Sequence, residues 1–381
     1  MKIALIHDGI FCKGGAERVL LNMHKAFPDA PIYTSIYLEN QTYAEFKKCN
    51  IKTSFLQYFI KSEKTFKKTF VLFAPYAMRK FDLSKYDVIL SSTTHCAKYI
   101  KPNKTSLVIN YCYTPFRLAW NPESYRIFLE SNGYKKFLIK KVISYLQKID
   151  FHYAQRANKY IAMTQETSER IKKIYNIKPK NIKIINPSIN VGEFKVADKI
   201  EDYFLIVSRL EKYKKVDLAI KAFNKTDFKL KIVGMGMEYN NLKKIANNNI
   251  KFLNIVSQSE LINLYSKCKA LIFPQHEDYG LTPLEVNASG RPVIAYGLGG
   301  VETTMIPSNK KDNKNFTSIF FLDQNEDSLL SAIKKLDNLN VNSEFILNHV
   351  KKFDNQKFIS KLKSYIQLEY KNHINTNSYQ S

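Results

Sequence analysis

Short apolar runs alternate with helical patterns along this chain, break off once, and then resume in the same rhythm. The segments 2–7, 31–36, 87–91, 105–111, 159–163 and 183–185 are rich in Ile, Val, Leu and aromatic residues, several of them almost without interruption. Strands covered on both faces of a parallel sheet read this way. Helical spacing fills 16–27, 55–80 and 134–157. At Asn186-Pro187-Ser188 the rhythm stops, and a polar stretch to Asp202 reads as a linker. Strand patterns then return at 203–207, 228–233, 270–273, 292–295 and 318–322. Helical ones return at 214–223, 238–246, from Ser257 or Ser259 to Lys267, and at 283–289, 325–337 and 354–370. This pattern predicts an α/β protein of two doubly wound, Rossmann-like domains, 1–190 and 200–350, with a final helix at 354–372 packing back on the first. Ligands of such sheets sit beyond the carboxyl ends of the strands, so two facing domains are expected to form a cleft. The polar residues after Asn372 are expected to fray.

The totals agree with that plan. A chain of 381 residues exceeds one ordinary core. Five scattered cysteines without a Cys-x-x-Cys pair fit reduced thiols in a cytoplasmic protein, not disulfides or a zinc site. His7 and Asp8 interrupt the first apolar run too early for a signal peptide, and no apolar stretch approaches the roughly 20 residues needed to span a bilayer. The net charge of +25 is unevenly spread. Residues 46–80 carry nine Lys/Arg against one Glu, interleaved with Phe46, Phe55, Tyr58, Phe59, Phe66, Phe70 and Phe73. Residues 133–148 carry five Lys and no acid, with Phe137, Leu138, Val142, Ile143 and Tyr145 between them. Cations alternating with aromatics at helical spacing suit a face that lies on anionic lipid, here the inner surface of the cell membrane. A solvated helix face is the competing reading.

Chemistry concentrates in Phe273-Pro-Gln-His-Glu277-Asp-Tyr-Gly280-Leu281-Thr282-Pro-Leu-Glu285. A strand, a polar turn and a helix N-terminus hold an anion, because unpaired N–H groups point at it. The flanking carboxylates can accept from hydroxyls, as a nucleotide sugar requires. A Thr282/Glu285 capping box with Pro283 at the first helical position would explain the same residues without a ligand.

From Tyr203 to Tyr296 further signals follow in order. Val207-Ser-Arg209-Leu precedes Lys214 and Val216-Asp217. Then come Ile232-Val-Gly234-x-Gly236, Phe252-Leu with Leu261 and Tyr265, Glu277 to Glu285, and Gly290-Arg-Pro-Val-Ile-Ala. With Gly14-Gly15-Ala16-Glu17 and Ile185-Asn-Pro-Ser-Ile-Asn190, the set resembles a retaining glycosyltransferase of family 4, whose fold is GT-B. Ser91-Ser92-x-x-His95-x-x-Lys98, Tyr113-Thr-Pro-Phe-Arg117 and Tyr296-Gly-x-Gly299-Gly300 look most like O-antigen mannosyltransferase-type members.

The resemblance implies roles. Arg209 and Lys214 would stabilise the departing diphosphate. Glu285 would bind the donor ribose, Glu277 would lie near the sugar and the reacting centre, and Gly280, Leu281 and Thr282 would offer backbone N–H groups. Gly14 and Gly15 would let the first domain's backbone approach the sugar-phosphate. His95 would contact the sugar or take the acceptor proton, or else be a strand-end histidine bonded to backbone. Tyr113 stands where many relatives carry a His; it, Asp8 and Arg117 are further donor or acceptor contacts. The implied reaction moves a sugar, mannose from GDP-mannose as the best match, to a lipid-linked saccharide or surface polysaccharide, without cofactor.

Several motifs are missing. No Asp-x-Asp supports a metal, no Gly-Lys-Ser/Thr supports a P-loop, and Tyr239 stands where a dinucleotide fingerprint needs its third Gly, against an NAD enzyme. An epimerase or hydrolase of nucleotide sugars is the alternative on this scaffold. A nucleic-acid-binding protein, prompted by the pI of 9.6, lacks a recognition helix or RNA platform motif.

Overall fold

The computed structural model describes residues 1–125, 128, 130–309 and 314–378. The chain forms two compact units, one of residues 1–187 and 358–381 and the other of residues 188–357. Each is built on one all-parallel sheet.

In the first unit, β1 (Ile3–His7), β2 (Ile32–Thr34), β3 (Ile51–Thr53), β4 (Val88–Thr93), β5 (Leu107–Cys112), β6 (Lys159–Ala162) and β7 (Ile182–Ile184) lie in the order β3-β2-β1-β4-β5-β6-β7. All six pairings are parallel. Every residue of β1, β4 and β5 is buried, which is why these strands read as largely apolar runs, β1 and β4 turning polar only towards their carboxyl ends. One face packs Ala4, Ile6, Ile89 and Val108 against Ala74 and Met78 of the helix Glu63–Arg79 and Tyr153 of the helix Gly133–Ala154. The last helix, Asn355–Ser378, returns to this sheet. Its Phe358 meets Tyr111, and its Glu369 pairs with Lys159 at 3.1 Å.

In the second unit, β8 (Phe204–Val207), β9 (Leu230–Val233), β10 (Ile250–Asn254), β11 (Leu271–Phe273), β12 (Val293–Tyr296) and β13 (Ser318–Phe321) take the order β10-β9-β8-β11-β12-β13. Ile206, Ile232, Ile272, Ile294 and Ile319 form one core with Ala219 and Phe223 of the helix Val216–Phe223 and Leu329 and Ile333 of the helix Glu326–Leu336. Both sheets reverse their strand order beside the first strand, between β1 and β4 and between β8 and β11. Chain leaving the carboxyl ends of such a pair diverges and opens a crevice. Those two places carry the site residues.

Several elements depart from the sequence reading, among them the expected helix 55–80, which is two helices, Leu56–Phe59 and Glu63–Arg79, and the unforeseen short helix Gly300–Thr304. The short edge strand β3 and the edge strand β10 escape it because lysines interrupt their apolar pattern. The helix Gln165–Tyr175 is mostly polar and Ser343–Val350 is only 8 residues long; they are started by Thr164 and Asn342, whose side chains accept from Thr167 and Phe345 N–H. The expected fraying after Asn372 is replaced by helix to Ser378, where His373 reaches the Thr105 carbonyl at 3.0 Å.

Candidate active site

In the second unit the turn after β8 and the turn after β11 meet. Ser208 and Leu210 N–H donate to the Val233 and Met235 carbonyls, which lays this segment flat on the loop after β9. Gly234 makes that approach possible. Its φ is +138°, and a Cβ there would come within 1.8 Å of the Ser208 carbonyl oxygen. The chain then closes a one-turn 3-10 helix, Lys212–Lys214, and passes through Lys215 in the left-handed region at φ 54°. A lysine rarely takes that conformation, and such strain collects at functional sites.

This turn aims Lys214 at Glu277. The two side chains form an ion pair in which Lys214 is largely buried and Glu277 partly so. Arg209 is exposed, and its guanidinium donates to the Tyr213 hydroxyl at 3.2 Å, while the Lys214 ammonium lies 5.0 Å from the centre of the same ring. Glu277 is held through its backbone. Its carbonyl accepts from Gly300 N–H at 2.8 Å, and Gly299 and Gly300 press so closely on the loop that a Cβ would lie 2.5 Å from the Glu277 oxygen or 2.2 Å from Tyr279 Cα. That contact explains the glycine pair after Tyr296.

The helix after this turn is Leu281–Ala288, and its N-cap is Gly280 at φ +84°. A glycine cap has no side chain to bond, so the Thr282/Glu285 capping box does not start this helix, and Pro283 is its third residue, not its first. The N–H groups of Leu281 and Thr282 belong to a first turn with no intrahelical partner. Glu285, one turn further on, accepts a 2.8 Å hydrogen bond from the fully buried Tyr265 hydroxyl.

In the first unit the corresponding place joins Asp8, just after β1, to the turn after β4. The buried Asp8 carboxylate accepts from Thr94 N–H at 2.6 Å, Thr94 Oγ1 at 2.7 Å, His95 N–H at 3.2 Å and Ala97 N–H at 2.6 Å. His95 Nδ1 lies 3.2 Å from it. Burial pushes the Asp8 carboxyl upward, but charge and hydrogen bonding from His95, the nearby His7 and the Thr94 N–H outweigh it. The carboxyl is held well below the usual range. Asp8, His95 and Cys96 donor atoms lie within 4.8 Å of one another. A cation there would face the positive ends of N–H groups already bonded to Asp8, so this trio suits a braced turn better than a metal.

Tyr113 ends in a buried chain. Its hydroxyl is 2.9 Å from Ser92 Oγ and donates to the Ala16 carbonyl at 3.2 Å, and Ser92 Oγ is 2.9 Å from His7 Nδ1. Burial raises the Tyr113 hydroxyl and lowers the His7 imidazole, so both stay neutral at pH 7. Tyr113 thereby braces the start of the helix Gly15–Ala26, whose N-cap is Gly14. Arg117 opens the one-turn helix Arg117–Trp120 with its side chain exposed.

The structure thus brings together Asp8 with His95, and Lys214 with Glu277. Sequence reasoning gave Tyr265, Lys98, Ser92 and His7 no role at the site and left out Asp150. Ser92, Lys98 and Tyr265 stood inside quoted motifs. Asp150 had a signal of its own, as the only acid in the basic helix Gly133–Ala154.

Comparison with known proteins gives the class of the chain. Residues 193–357, the stretch holding Arg209, Lys214, Glu277 and Glu285, match the family Glycosyl transferases group 1. The chain is a glycosyltransferase. It is 24% identical to the alpha-1,3/1,6-mannosyltransferase ALG2 of Candida glabrata over 90% of this chain and 86% of that protein. The O-antigen chain mannosyltransferase RfbU of Salmonella typhimurium is 27% identical over 51% of this chain and 60% of that protein. The crystal structure of Anabaena Alr3699/HepE in complex with UDP superposes with a TM-score of 0.67, covering 96% of this chain and all of that one at 16% identity. At that identity the likeness speaks for the fold, which is GT-B. Among the described residues, no helix of the glycosyltransferase is long and apolar enough to cross a membrane.

Proposed function

We propose that this glycosyltransferase transfers mannose from a nucleotide donor, GDP-mannose being the first to test, to a lipid-linked oligosaccharide or surface polysaccharide with retention of configuration. The observation that carries the reading is the Lys214–Glu277 pair at the point where the second sheet reverses its order. The named activities of two relatives, both mannosyltransferases, support the choice of sugar.

In this reading the donor diphosphate lies at the N-terminus of Leu281–Ala288, where Gly280, Leu281 and Thr282 turn N–H groups to it. Arg209 and Lys214 neutralise the charge that grows on the leaving phosphate, and Glu285 accepts from the ribose hydroxyls. Donor phosphate draws Lys214 from Glu277, leaving that carboxylate to meet the sugar. No step needs a metal: the cations replace it, and the departing phosphate helps to accept the acceptor proton. Gly14 and Gly15 leave room beside the sugar-phosphate. His95 contacts the sugar or the incoming hydroxyl, with Asp8 fixing its ring; the exposed Arg117 borders the acceptor, while the buried Tyr113 acts only through the helix start it braces.

The membrane face is narrower than the sequence suggested. Phe46 and Phe66 are buried core residues, and Phe70 lies outside the residues whose side chains are described. Tyr58, Phe59, Phe73 and Tyr76 are exposed. On the helix Gly133–Ala154, Tyr134, Phe137, Leu138, Val142 and Tyr145 are exposed while Ile143 packs inward. Lys141 lies 4.7 Å from the Phe137 ring centre. We assign these residues to contact with an anionic membrane surface on the cytoplasmic side.

Incubation of the protein with a panel of nucleotide sugars and a synthetic polyprenyl-diphosphate saccharide, read by mass spectrometry, tests the function. Elongation of the acceptor is expected with one donor. Donor breakdown or epimerisation with no acceptor product would make the protein a hydrolase or epimerase, and an inert panel would remove the reading.

A further inference from the structure

The turn that carries His95 is fastened from a second side. Lys98 is 2% exposed and Asp150 is fully buried, and their charged groups meet at 2.7 Å. The Lys98 ammonium also donates to the His95 carbonyl at 2.9 Å. Asp150 in turn accepts from the Tyr99 hydroxyl at 2.9 Å, the Trp120 indole N–H at 2.8 Å and the Tyr175 hydroxyl at 2.6 Å. Rings of Tyr99 and Tyr175 lie 5.4 and 5.6 Å from the ammonium. Every donor around the carboxylate is therefore matched, in a place where an unmatched charge would be strongly destabilising.

A core made only for stability gains little from such a pair, since well-packed apolar residues often serve as well or better. What an apolar residue at 98 could not do is hold the His95 carbonyl. Asp8 grips this turn by its N–H groups and Lys98 grips it by its carbonyl, so the imidazole between them has a fixed origin. We propose that Lys98 and Asp150 form a positioning pair, in which Asp150 anchors the Lys98 ammonium to the helices Gly133–Ala154 and Gln165–Tyr175 and Lys98 fixes the His95 turn for sugar transfer. This rests on the role given to His95 above.

Two variants separate positioning from stability. Asp150→Asn leaves Lys98 able to donate to His95 but strands a buried amine, so it is the less stable of the two. Lys98→Met/Asp150→Asn removes both charges and recovers stability, yet loses the bond to His95. Transfer kinetics per folded molecule, denaturant midpoints and the His95 imidazole NMR resonances, assigned with His95→Gln, are compared. Expected in Asp150→Asn, where Lys98 keeps its bond but loses its anchor, are a partial fall in kcat and partly displaced His95 shifts. The more stable double variant should show a larger fall in kcat, of about tenfold or more, with unchanged donor KM and fully displaced His95 shifts. Turnover that simply follows stability, or a double variant with native His95 shifts, overturns the proposal. If Asp150→Asn does not fold, the double variant against the native protein carries the same test. Displaced His95 shifts with native transfer would instead remove His95 from the reaction and leave the positioning intact.

Discussion

Replacing Tyr265 by Phe removes one oxygen, and that oxygen donates at 2.8 Å to the carboxylate assigned to the donor ribose. The ring itself is fully buried on the helix Gln258–Lys267, with Phe194 6.2 Å away, so the variant keeps its packing. A hydrogen bond to a charged group is worth about 1.5–3 kcal/mol when dry. Glu285 is partly exposed, which reduces this to about 1 kcal/mol. If Glu285 grips the ribose equally before and during transfer, the loss falls on donor binding, so KM rises about fivefold and kcat stays within about twofold. Glu285→Ala should raise KM by more than about tenfold, and Tyr265→Phe should add nothing in that background, because the two groups act as one. Steady-state kinetics on the four proteins, with urea unfolding to confirm a stability change below about 1.5 kcal/mol, make the test. A fall in kcat at constant KM, or a Tyr265→Phe effect that survives in the Glu285→Ala background, would refute the reasoning.

Lys214→Ala should lower kcat by about 10²–10³ while donor binding changes little, and Glu277→Gln in the same protein should remove any penalty of the stranded carboxylate; single-turnover rates decide this. Asp8→Asn should destabilise the protein by about 3 kcal/mol at pH 7, measured by urea unfolding. The folded carboxyl titrates below its usual 3.8, so its stabilisation is complete above about pH 4. The gap between native and variant should close as pH falls through the depressed value, and a gap constant with pH refutes the account. Gly234→Ala should cost at least about 2 kcal/mol, seen in thermal unfolding, because its Cβ meets a backbone oxygen that cannot swing aside. Anionic vesicles should retain the protein in flotation at low salt and release it when Phe137, Val142 and Tyr145 are replaced by Ser. Equal binding to neutral vesicles would remove the charge argument.

The alternation of buried strands and helices by itself determined the two parallel sheets, because a strand covered on both faces must be largely apolar. β1, β4 and β5 are buried at every position, and their polar residues are His7 and Ser91, Ser92 and Thr93 at the carboxyl ends of β1 and β4, and Asn110 within β5. The edge strands β3 and β10 touch fewer neighbours, are free to carry lysines, and were invisible for that reason. Arg209, Lys214, Glu277 and Glu285 were legible as candidates because they lie in short stretches whose glycines and helix start have a local cause. Only the tertiary structure decided which side chains meet. Asp8 and the His95 N–H are 87 residues apart in the chain, and parallel pairing of β1 with β4 is what delivers them to one place. Lys98 and Asp150 come from a turn and a helix whose registers are independent, so no spacing in the sequence could announce their pairing. Burial then gives those meetings their strength, since the same charges in water would attract only weakly.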